Sequence, residues 1–200
     1  MQCVRHFAAS KAVAQELVDS VLNTGGVILR LAIMRVLAVD ASLRNTGVAI
    51  VDANSGKLRS VYFGTIHNAS SLRSSSCLVA IRDRLVKLIR EHEPDCCALE
   101  SVIYVQSHKT AILLGAARGA AILAAAENGL PVFEYSPRRI KQSAVGRGAA
   151  GKDQVAFMMR ALLGLTETPD ADAADALAIG LTHLRSQEAV AIGLPGGMQI

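Results

Sequence analysis

From Arg35 onward the chain alternates between short apolar runs and longer stretches of helical periodicity, whereas residues 1–33 carry no comparable order. Val36-Leu37-Ala38-Val39 is a continuous apolar run, as a strand buried on both faces requires, and Asp40 ends it. A polar turn over 42–45 leads through Gly47 to a second strand over 48–51. Asn54-Ser55-Gly56 has turn chemistry, so 58–66 is expected as a third strand and the three together as an antiparallel meander. Leu78, Ile81, Leu85, Leu88 and Ile89 recur at helical spacing, which predicts a helix over 70–93 stopped by Pro94. A short buried strand over 96–99 then ends at Glu100. A helix over 110–128 closes at Gly129, a C-terminal cap, and a fifth strand covers 131–135. Further helices are expected over 153–163 and 171–184. The order β-β-β-α-β-α-β-α-α implies an α/β fold: a mixed five-stranded sheet with helices on both faces.

Domain limits follow from the same pattern. Residues 34–187 form one domain. Residues 1–33 are expected as an N-terminal extension outside the fold, with Met34 as a candidate start, and 188–200 as a flexible tail. The 110–128 helix is dense in Gly and Ala, which allows close approach of its own sheet or of a second helix in a dimer seam.

Composition narrows the classes. Hydrophobic residues make up 51% of 200 and charged residues 19%, a globular balance, and aromatics only 4%, so Ala, Val, Leu and Ile must fill the core. The net charge of +4 suits a nucleic-acid partner. The four cysteines include no C-x-x-C pair, which argues for buried thiols in a reducing compartment and against a zinc site. The apolar stretch over 111–126 is interrupted by Arg118 and falls short of the roughly 18 residues of a membrane span. No signal-peptide pattern is present. A cytoplasmic protein with no membrane partner is expected.

Candidate chemistry lies in the acids. Asp40 and Glu100 each finish an apolar strand, at the sheet edge where open α/β folds place their ligands. Asp170, Asp172 and Asp175 open the last helix. Residues three apart share a helical face, so Asp172 and Asp175 pair, while Asp170 suits the N-cap. Capping and the helix dipole alone also favour acids there. Four carboxylates in one crevice repel, each close pair by about 4 kcal/mol at an effective dielectric of 20. A cation removes that penalty, and oxygen-only ligands select Mg²⁺ or Mn²⁺. Two such ions suit phosphodiester hydrolysis. A basic loop expected over 137–154 adds Arg138, Arg139, Lys141, Arg147 and Lys152 against Asp153 alone, with glycines that let backbone approach phosphate. A solvated charged surface is the plainer account of such a run.

These motifs together resemble the RuvC family of Holliday junction resolvases, over about residues 34–185. The resemblance rests on A-V-D-A-S-L-R-N-T-G, A-L-E-S-V, L-L-G-A-A-R-G-A-A, V-F-E-Y-S-P-R-R-I-K-Q-S-A-V-G, G-K-D-Q-V and P-D-A-D-A-A-D-A-L-A-I-G-L-T-H. It implies an RNase H-like fold and metal ligation by Asp40, Glu100, Asp172 and Asp175. It implies DNA contacts near the scissile phosphate by Lys141 and Lys152, the latter stabilising developing charge. Two Mg²⁺ per subunit, replaceable by Mn²⁺, are implied, as is a homodimer that nicks a four-way junction symmetrically during recombination and repair. Cooperation with the RuvA–RuvB branch-migration complex is implied too. Two positions depart from the family. Ala41-Ser42 follow Asp40 where the family has Pro-Gly, and Ile103 stands where the family has a stacking aromatic, with Tyr104 next to it. Two other readings remain open from residues alone. One is a catalytically altered junction-binding protein of the same fold. The other is an ATP-dependent enzyme of the sugar-kinase and actin type, suggested by the Asp and Thr-Gly of the first segment, although such enzymes need a second domain.

Overall fold

A computed structural model describes residues 34–54, 57–102, 107–146, 151–191, 193 and 196–200. The extension expected at 1–33 lies outside the described residues. The elements are β1 (Met34–Asp40), β2 (Asn45–Asn54), β3 (Lys57–His67), α1 (Ser74–His92), β4 (Cys96–Glu100), α2 (His108–Glu127) and β5 (Val132–Tyr135). They continue with α3 (Pro137–Val145), α4 (Lys152–Leu163), α5 (Ala171–Ala191) and β6 (Met198–Gln199). The sheet order is β3-β2-β1-β4-β5-β6. β1, β2 and β3 form the expected antiparallel meander, while β1, β4 and β5 run parallel.

Strand alternation divides the core in two. Leu37, Val39, Val48, Ile50, Cys97 and Leu99 face α1 and α2. Val36, Ala38, Ala49, Val51, Cys96 and Ala98 face α5, which is itself covered by α3 and α4. α5 is buried on nearly all sides between Ala173 and Leu184. Its Gly180 explains how it sits so low: a Cβ there would lie 2.8 Å from Val51 Cγ2.

Three expectations require correction. The sheet has six strands, because Met198–Gln199 pairs antiparallel with Phe133 and Glu134. The last helix continues past the expected end at 184, to Ala191. The start of the basic stretch is helical: Ser136 caps it by accepting from Arg139 N, Pro137 opens it, and Gly146 ends it at φ 74°. α2, at 20 residues, is long and apolar enough to cross a membrane by length and composition. In the fold it lies on the sheet through Ala117, Ala121, Ala124 and Ala125.

A buried histidine links α5 to the sheet. His183 is fully buried; its Nδ1 lies 2.9 Å from Tyr135 Oη and its Nε2 3.3 Å from Cys96 Sγ and 3.4 Å from Gln187 Nε2. Burial lowers its pKa from 6.5 to about 4. The same burial raises the Cys96 and Tyr135 values, so the neighbours stay neutral as well. The unfolded chain therefore binds a proton between pH 6.5 and 4 that the folded chain refuses. The stabilisation is fully present above about pH 6.5 and is lost as pH falls toward 4, by about 3 kcal/mol over the whole window. Urea unfolding at pH 7 and pH 4.5 checks this. His183→Asn is expected to flatten the difference; an unchanged pH dependence would remove His183 as its source.

Candidate active site

Alternation also decides where the strand-end acids face. Asp40 continues the series Val36, Ala38, and Glu100 the series Cys96, Ala98, so both extend the α5 side of the sheet. Val39 is in register with Leu99 on parallel strands, which sets residues 40 and 100 side by side, strands about 4.8 Å apart. Both carboxylates are half-buried. The residues Asp40 and Glu100 are among those lining one cavity of about 280 Å³, with Leu114 and Arg118 of α2 and Pro137 at the start of α3.

α5 starts at the same end. Asp170 is its cap: Oδ1 accepts from Ala173 N at 2.8 Å and from Thr65 Oγ1 at 2.8 Å, pinning the helix start to β3. Asp172 and Asp175 follow, both half-buried. Gly47, the β2 partner of Asp40, makes the approach possible. A Cβ at residue 47 would stand 1.9 Å from the Asp172 carbonyl oxygen, so the first turn of α5 rests directly on the strand beside Asp40.

The four acids therefore stand as two pairs at one end of the sheet, one on strand ends and one on α5. Among the described residues, no three His, Cys, Asp or Glu side chains form a group placed to hold a metal ion as they lie. The donor chemistry, carboxylate oxygen only, fits a hard divalent ion. Asp52, by contrast, is buried at the other end of the sheet and already neutralised, with Arg35 at 3.3 Å and Arg59 at 3.1 Å.

The turn after Asp40 is closed despite lacking Pro-Gly. Thr46 Oγ1 donates to Ser42 O at 2.5 Å, and Asn68 Nδ2 donates to Leu43 O at 2.9 Å. Arg44 donates to Ala69 O and Leu72 O.

The basic residues separate. Arg138 and Lys141 are exposed on one face of α3, whose opposite side buries Ile140 and Ala144. Arg139 turns inward, against the expectation of a DNA contact. Its guanidinium donates to Gly196 O at 2.7 Å and Ser186 Oγ at 3.0 Å and lies 5.4 Å from the Tyr135 ring centre. It clamps the C-terminal strand to α5. Lys152 is the first residue of α4, and its side chain lies outside the description. Arg147, Ile103 and Tyr104 lie outside the described residues.

Arg118, an interruption in the apolar run of α2, belongs to the site as well. It lines the carboxylate cavity and forms an ion pair with Glu134 of β5. The available signal was a lone charge set among Ala and Gly on a helix that otherwise buries apolar surface.

Residues 36–183 match the family model described as "Crossover junction endodeoxyribonuclease RuvC". The chain is similar to the protein of that description from Akkermansia muciniphila, 56% identical over 155 residues, 78% of this chain and 93% of the relative. It is also similar to that from Saccharophagus degradans, 46% identical over 164 residues, 82% of this chain and 94% of the relative. The solved structure of Thermus thermophilus RuvC in complex with Holliday junction substrate superposes with a TM-score of 0.73 at 30% identity, covering 82% of this chain and 99% of the other.

Proposed function

The chain belongs to the RuvC family of crossover junction endodeoxyribonucleases, and from that premise we propose that it resolves four-way DNA junctions by paired, metal-dependent nicks. One observation carries the reading: Asp40 and Glu100 end neighbouring parallel strands in register, and the acidic first turn of α5 rests on the next strand through Gly47. Asp40, Glu100, Asp172 and Asp175 would hold two Mg²⁺, for which Mn²⁺ can substitute. Bound metal supplies a Lewis acid for the phosphodiester and lowers the pKa of the attacking water. Arg138 and Lys141, on the exposed face of α3, bind the phosphate backbone, and Lys152 stabilises the charge that develops on the cleaved phosphate. Arg147 is a further candidate for a phosphate contact, and Ile103 and Tyr104 are candidates for contact with the junction bases.

The active form is a homodimer. α2 carries an exposed stripe in which Ile112 and Leu123 are 71% and 52% exposed, and open space lies beside Gly115 and Gly119. A two-fold pairing through this stripe sets two sites against the two-fold symmetry of a junction. Leu123→Glu is expected to yield monomers in sedimentation and nicks that are no longer paired. A dimer that persists would exclude this seam. In the cytoplasm the enzyme works with the RuvA–RuvB complex.

A synthetic four-way junction with Mg²⁺ tests the proposal. Symmetric nicks that stop on chelation are expected. A protein that binds the junction but leaves no nicks across several arm sequences is instead a junction-binding member of the fold.

A further inference from the structure

The carboxylate cavity has one cationic wall among its described lining residues, and nothing in the two acid pairs requires it. Arg118 reaches that wall from α2. Its side chain is 21% exposed, and its ion-pair partner Glu134, on β5, is 11% exposed. Glu134 engages Nη2, while Nε is buried and has no hydrogen-bond partner. A half-buried guanidinium whose buried Nε has no partner, lodged in an Ala- and Gly-rich helix, is more than a tie between α2 and β5. A tie would be served by apolar packing at less desolvation cost. The guanidinium fork also matches the oxygens of a phosphate, which it can grip at two points.

We propose that Arg118 contacts a non-bridging oxygen of the scissile phosphate and that Glu134 is the residue that positions it. This rests on the nuclease reading above. The phosphate then enters a cavity that Asp40, Glu100 and Arg118 all line. Glu134 neutralises Arg118 before substrate arrives and holds the fork in a single orientation.

The test uses the full chain and a junction whose cleavage step has been mapped with the wild type. Arg118→Gln is expected to slow single-turnover cleavage by about 10²-fold or more, as loss of one preorganised donor does. Arg118→Lys keeps charge without the fork and falls between. A second measurement needs no turnover. With Ca²⁺ present, a single neutral methylphosphonate at the cleavage step weakens junction binding by the wild type, and that penalty shrinks in Arg118→Gln. A purely structural pair would not produce this change. Should Arg118→Gln fail to fold, the double variant Arg118→Met, Glu134→Leu replaces the buried pair by apolar groups and carries the same expectation. Cleavage within threefold of wild type in a folded variant, or an undiminished methylphosphonate penalty, overturns the proposal. A wild type that cuts no junction overturns the nuclease reading instead.

Discussion

Asp40→Asn is expected to lower junction cleavage by at least about 10³-fold, a loss of about 4 kcal/mol of transition-state stabilisation, while junction affinity stays close to wild type. The substitution is isosteric and leaves β1 intact, with its ladders to β2 and β4. It removes only the anion. Asp40 occupies the centre of the site, with Glu100 beside it on one neighbouring strand and Gly47, under Asp172, on the other. On the proposed reading it is therefore the acid whose loss is expected to weaken metal binding most. Single-turnover cleavage, gel-shift binding and thermal melting separate these effects. Cleavage within tenfold of wild type would take Asp40 out of the metal site.

Gly47→Ala should be the most damaging single-methyl change at the site. In an ordinary strand, Ala is favoured over Gly by about 0.5–1 kcal/mol. Here the sign reverses, because the added Cβ falls 1.9 Å from the Asp172 carbonyl oxygen and 2.5 Å from its carbon. Both partners are backbone, one in a paired strand and one in a capped helix, so no side-chain rotation relieves the clash. The start of α5 must lift from the sheet. A cost of about 3 kcal/mol or more is expected, at or beyond the upper end for overpacking. Asp172 and Asp175 move with the helix, so cleavage falls too. Gly180→Ala is the control: its Cβ meets the Val51 side chain at 2.8 Å, farther along α5 and away from the acids. It should cost stability and leave the Mg²⁺ concentration needed for cleavage unchanged. If Gly47→Ala melts and cuts like wild type, the close approach does not hold α5 in place.

Much of the architecture is legible in the sequence. The meander follows from apolar runs joined by turn chemistry, and the place of Asp40 and Glu100 at strand ends from apolar runs that end in an acid; that β1 and β4 are parallel neighbours is decided by the fold. The separation of Asp170 from Asp172 and Asp175 followed from capping chemistry, and the Ala173 N to Asp170 Oδ1 bond bears it out. The α3 helix was legible in principle: Ser136, Pro137 and Gly146 are a complete set of start and stop signals. Basic residues and nearby glycines suit a loop as well, so these signals alone do not decide between the two. β6 was not legible. Two residues carry no periodicity, and their pairing depends on Arg139 gripping Gly196 and on Gly197 fitting against Tyr135.

The same division holds for the site. The sequence by itself determined the donor inventory, the faces of the strand-end acids and the pairing of two acids on one helix, since each depends on spacing within a single element. Only the tertiary structure decided that Gly47 lets α5 settle beside Asp40, that Arg118 walls the carboxylate cavity, and that Arg139 turns away from solvent. Those outcomes depend on contacts between elements distant in the chain. An arginine carries the same charge in all cases, and its duty is set by which carbonyl, carboxylate or ring the fold brings within reach.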